Sequence, residues 1–111
     1  MKGGGSRDNS AANIAKSNSA DMYALKLLRQ AVRYAAGQSD EQLSMKDFTR
    51  WLNRQGFKSP RGSGVSSANV KRSLSRVRTI KNPIPSGMNP PASQLSGLQK
   101  QVKDTLDRLG V

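Results

Sequence analysis

Apolar residues in this chain recur at intervals of three and four, in short runs that Gly and Pro cut off. That spacing is the period of one face of a helix, and it commits the chain to an all-α fold built from short amphipathic pieces. The first run is Met22, Leu25, Leu28 and Val32, stopped at Gly37. Tyr23, Leu27 and Tyr34 form a second stripe on the opposite side, so this helix is expected either to be sandwiched or to dock a partner. Ser19 is the expected cap at its start.

Met45, Phe48, Trp51 and Leu52 define a second helix, begun by Ser44 with Asp47 three residues on, a capping-box-like arrangement. Gly56 should end it in a left-handed turn, with Phe57 folding back on the last turn. Trp51, at core spacing, reads as buried. A third helix, 66–78, is capped by Ser66 and buries Val70, Leu74 and Val77. Counting 100° per residue from Val70 puts Ala68, Asn69, Arg72, Ser75 and Arg76 on its outer face. NPIPSGMNPPA then interrupts regular structure. After it Ser93 is expected to cap an amphipathic helix carrying Leu95, Leu98, Val102, Leu106 and Leu109, which either packs back on the domain or pairs with a copy of itself.

The expected organisation is therefore a Gly/Ser/Asn-rich flexible segment over 1–19, a helical domain over 20–81, a Pro-rich linker over 82–92 and a separate terminal helix over 93–111. A three-helix, helix-turn-helix-like domain with a long inter-helix loop suits the modest apolar content of 34% over 111 residues. The chain has neither Cys nor His, which removes disulfides, thiolate metal sites and the commonest general base. Its seven acids show no paired motif, so no enzyme, cofactor or metal is expected. No apolar segment reads as a signal peptide or a membrane span, and a cytoplasmic, nucleoid-associated protein is the expectation.

The net charge of +12 points to a polyanionic partner. Its distribution is more informative than its size. Residues 46–81 carry ten Lys and Arg against the single acid Asp47. Asn69, Arg72 and Arg76 are the candidate base readers, since Asn suits adenine edges and Arg guanine edges in the major groove. Lys46, Arg50, Arg54, Ser66, Ser67, Lys71, Arg78 and Lys81 are candidate phosphate contacts. In KSPRGSG, Lys58 and Arg61 sit on a loop of small residues suited to a narrow minor groove. The double-stranded DNA so implied would be read by a small domain, and specificity then favours a homodimer. Tyr23, Leu27, Tyr34, Leu98, Val102, Leu106 and Leu109 are the candidate interface.

The stretch RWLNRQGFKSPRGSGVSSANVKRSLSRV resembles the DNA-binding "recombinase" domain of large serine recombinases. The matching residues are Leu52, Asn53, Gly56, Pro60, Arg61, Gly62, Ser66, Val70 and Leu74, and Val65 stands where that family usually has an aromatic residue. The resemblance implies readout of duplex DNA by the Ser66-capped helix. It does not imply recombination, because residues 1–19 are too few for that family's catalytic domain. A regulator of transcription or replication in a phage or mobile element is the favoured expectation. A recombination accessory or directionality factor is a second, and a basic RNA-binding or assembly protein a third. The scarcity of aromatic residues counts against single-stranded RNA.

Overall fold

A single long helix is the spine on which the other three pack. The computed structural model of the chain describes residues 4–111, with side chains from Ser19 onward. Its elements are α1 (Gly4–Ala36), α2 (Met45–Arg54), α3 (Ser67–Val77), a 3-10 turn (Ala92–Gln94) and α4 (Leu95–Arg108). Among the described residues there is no strand, and the all-α reading holds. Ser19 lies inside α1 and does not cap it. The 1–19 segment expected to be flexible is helical from Gly4 onward, and residues 1–3 lie outside the described residues.

α1 buries Ala24, Leu27, Leu28, Ala31 and Ala35, a stripe at helical spacing in which three alanines allow close approach of neighbouring helices. The stripe lies between the two expected ones. Leu27, assigned to the outer face, is fully buried, whereas Met22, assigned to the core, is 59% exposed. The alanines were the missing signal: too small to mark a face by themselves, they join Leu27 and Leu28 into one. Tyr23, Leu25, Val32 and Tyr34 pack against the edges of the same core.

α2 begins as its sequence requires, with Ser44 Oγ accepting from the Asp47 amide at 3.3 Å. It ends at Gly56 (φ 80°), where the Phe57 amide donates to Leu52 O at 3.0 Å and the Gly56 amide to Asn53 O at 3.1 Å. This paired closure is available because Gly tolerates the left-handed conformation. Phe48 and Leu52 are buried. Trp51 packs with Tyr34 and Phe48, ring centroids 5.4 and 6.1 Å away.

α4 packs back on the domain. Leu98, Val102, Leu106 and Leu109 are buried in the same core as α1, α2 and α3, so with Leu27 they form no exposed interface between copies. The expected separate terminal helix is a structural member of the domain. Ser93 lies within the 3-10 turn, and α4 begins without a side-chain cap. The Pro-rich stretch is likewise docked: Pro85 is fully buried, the Ser86 amide donates to Leu25 O at 3.2 Å, and Arg29 Nη1 donates to Ser86 O at 2.9 Å. It is a strap across α1 rather than a linker.

One side chain closes the end of the spine. The Arg108 guanidinium donates to Ala35 O at 3.1 Å, Gln38 O at 3.0 Å and Asp40 O at 3.0 Å. Its own carbonyl accepts from the Leu43 amide at 2.7 Å. A cation at a helix C-terminus also meets the negative end of the helix dipole. Arg108→Met keeps most of the aliphatic stem but strands these carbonyls. It should lower unfolding free energy by about 1–3 kcal/mol, read as a shifted urea midpoint at constant m-value.

Candidate nucleic-acid interface

Val70, Leu74 and Val77 are fully buried, as the spacing predicts, and this fixes the rotation of α3. Ser66 caps it, Oγ accepting from the Asn69 amide at 3.2 Å. The outer residues divide into two groups. On one flank Asn69 Oδ1 accepts from Tyr23 Oη at 2.9 Å, and Arg76 Nε donates to Asp21 Oδ1 at 2.6 Å. Burial raises the Tyr23 phenol pKa, so the hydroxyl stays protonated as the donor. Both Asn69 and Arg76, expected as base readers, are thus engaged by α1. The other group, Ala68, Lys71, Arg72 and Ser75, is exposed. Lys71 and Arg72 have no hydrogen-bond or ion-pair partner among the described residues.

The loop 55–66 is built, not slack. The Gly62 amide donates to Ser59 O at 2.8 Å and the Ser59 amide to Ser63 O at 2.7 Å, closing a turn with Pro60 and Arg61 at its tip. Gly62 takes φ 85°, a conformation that favours glycine. The far side of the loop is held by Asn53. Its Nδ2 donates to Val65 O at 3.0 Å, and its Oδ1 accepts from the Val65 amide at 2.9 Å. The amide group therefore pairs with backbone as a strand would, and Val65 is buried beside it. A Cβ on Gly64 would lie 2.8 Å from Asn53 Oδ1, so the close approach requires glycine.

These elements enclose a groove of about 760 Å³ between the Ser19–Tyr23 part of α1, the loop and the Asn69-to-Arg76 flank of α3. Arg61 from the loop and Arg72 and Arg76 from α3 converge on it. Lys58 lines an adjoining hollow with Lys26 and Met22. Ser66 lines the groove, and Ser67 is half-buried at the start of α3. Lys46, Arg50 and Arg54 recur every fourth residue as a separate exposed stripe on α2, and none of them lines the groove. Arg50 lies a loose 3.8 Å from Asp47. Lys81 is exposed beyond α3.

Arg78 has a different use from the phosphate contact expected of it. It donates to Asp107 Oδ1 at 2.6 Å and to Val111 O at 2.7 Å, tying the end of α3 to the end of α4. Sequence reasoning missed Asp21, Tyr23 and Asn53 as members of this region. Asp21 and Tyr23 are more than forty residues from their partners, and no local pattern marks such a pairing. Asn53 offered a signal in its fixed spacing from Gly56 and the loop, though not its role.

Comparison with protein-family models, curated proteins and solved structures found no match.

Asn53→Ala leaves the buried Val65 N–H and C=O without that partner and should cost about 1–3 kcal/mol of stability. Hydrogen exchange by NMR should show the Val65 amide losing protection well beyond the global change; unchanged protection there would mean the clasp does not hold the loop.

Proposed function

We propose that this chain binds double-stranded DNA through the loop 55–66 and α3, as a regulator in a phage or mobile element. The observation that carries the reading is the convergence of Arg61, Arg72 and Arg76 from two elements on one groove, next to an exposed cationic ridge with no acid. Arg61 sits at the tip of a hydrogen-bonded turn, so its backbone is already ordered and only side-chain entropy is left to lose. Ala68 and Ser75 beside Lys71 and Arg72 leave room for close approach to a duplex. The resemblance of about residues 20–78 to the DNA-binding domain of large serine recombinases supports the same assignment. So does the packing of all five aromatic residues against one another in ring pairs, which leaves little stacking platform for single-stranded RNA.

The base reader in this proposal is Arg72, with Asn69 and Arg76 serving α1 in the free protein. Lys58, Arg61 and Lys71 take phosphates, and Arg72 a phosphate or a base edge according to sequence. The α2 stripe is an auxiliary contact.

Selection from a random duplex library should enrich one motif, and Arg72→Ala should relax preference at one base step by about 1–3 kcal/mol. On a duplex lacking the preferred site, Lys58, Arg61, Lys71 and Arg72 make four phosphate contacts and predict a logarithmic salt slope near −3.6, from about −0.9 each. If Arg76 is freed from Asp21, it adds about 0.9 more. Titration by fluorescence anisotropy at several salt concentrations measures it. A flat response, or RNA outcompeting duplex of equal length, defeats the proposal.

A further inference from the structure

The acid nearest the proposed DNA surface is not a random exception to its charge. Asp21 meets the Arg76 guanidinium at 2.6 Å through a single Nε–Oδ1 contact, the geometry an arginine uses for one phosphate oxygen. Both side chains remain about two-fifths exposed, at 41% and 36%. Arg76 lines the groove with Arg61 and Arg72, along with hydroxyls from Ser59, Ser63, Ser66 and Ser73. The opposite bank is Ser19, Ala20 and Tyr23 of α1, pinned to α3 by the Tyr23–Asn69 hydrogen bond, and Asp21 reaches Arg76 from beside the groove.

We propose that the groove is a seat for the phosphodiester backbone of one DNA strand, and that Asp21 is a built-in phosphate mimic occupying Arg76 until DNA displaces it. The inference rests on the DNA-binding reading and adds to it a specific ligand group, phosphate, and a specific competitor. An exposed carboxylate–guanidinium pair is weak, so a phosphate held by Arg61 and Arg72 at the same time exchanges with it readily. The carboxylate then lowers affinity for any isolated anion, while leaving a continuous backbone able to take all three arginines. Asp21 in this way filters polyanions from small anions.

The test compares Asp21→Asn with Asp104→Asn on full-length protein. Asp104 makes the same change in net charge, in a hollow lined by residues 38–41 beyond the far end of α1. The stretch of α1 from Asp21 to Ala36 alone rises about 22 Å at ~1.5 Å per residue. On a random-sequence duplex at low salt, Asp21→Asn should tighten binding about two- to fivefold with the logarithmic salt slope unchanged, because Arg76 meets a phosphate in both complexes. Asp104→Asn should leave the affinity nearly unchanged. Adding Arg76→Ala to Asp21→Asn should cancel the gain and make the slope shallower by about 0.9. If the two Asp variants behave alike, Asp21 is merely one more negative charge and the proposal falls.

Inorganic pyrophosphate, followed through the Arg76 Nε–Hε NMR resonance, separates this idea from the wider one. If no variant binds duplex, the DNA reading fails. A pyrophosphate-induced shift in Asp21→Asn, at concentrations that leave the unaltered protein unperturbed, still supports the phosphate seat. The absence of any such shift overturns that as well.

Discussion

The stripe Ala24, Leu27, Leu28, Ala31 and Ala35 on α1 is the constraint from which the rest of the arrangement follows. Its residues are fully or almost fully buried, and α2, α3 and α4 all pack on α1. Alanine contributes little area of its own, but it lets the backbones of neighbouring helices come close, and dense packing then does what large side chains do elsewhere. The stripe also sets the pose of α3. With Val70, Leu74 and Val77 in the core, the flank carrying Asn69 and Arg76 falls beside α1, where Tyr23 and Asp21 meet it. The exposed ridge is consequently Ala68, Lys71, Arg72 and Ser75. A rotation of α3 by one residue's angle would turn one of these two polar groups into the core.

How much of this was legible in the sequence depended on the range of the interaction. Ser44, Ser66 and Gly56 act on groups within a few residues, and the pattern alone locates them. The inward side of α3 was equally plain, because Val70, Leu74 and Val77 have no competing apolar stripe on that helix. α1 was read with its faces mixed, since Leu27 and Tyr23 look alike to a periodicity that ignores alanine. The docking of α4 could not be decided at all: an amphipathic face states that it needs cover, not what covers it. The ties that settle the matter are Arg108 to the end of α1 and Arg78 to the end of α4, formed by charged residues that sequence alone assigns to solvent or to phosphate.

Arg78 and Arg108 also show why counting basic residues overstates a binding surface. Arg108 spends its donors on backbone carbonyls at a helix end, where an unpaired carbonyl costs free energy and a cation meets the helix dipole, while Arg78 spends its own on the Asp107 carboxylate and Val111 O. Arg29 likewise holds the Ser86 carbonyl of the strap. A guanidinium has five donors in a rigid fork, which suits it to gathering several carbonyls at once, as Arg108 does. Lysine, a single mobile ammonium, serves that purpose poorly. The arginines of this chain are therefore divided between structure and surface, and only the folded arrangement shows the division.

The charges left at the surface are segregated. Asp40, Glu41, Asp104 and Asp107, four of the seven acids, line one hollow with Arg108 where α4 meets the end of α1, Asp107 being paired with Arg78. Arg61, Arg72 and Arg76 converge on the groove beside Ser19–Tyr23, well before that end of the helix. A molecule of net charge +12 attracts any polyanion, but a uniform distribution would capture it in every orientation. For the DNA proposed as partner, separated poles would direct as well as strengthen the attraction: a duplex would be repelled locally at one end and drawn to the other, within the ~8–10 Å over which charges act at moderate salt. Under that proposal the acidic end would matter without binding anything, by raising the fraction of encounters that begin at the groove.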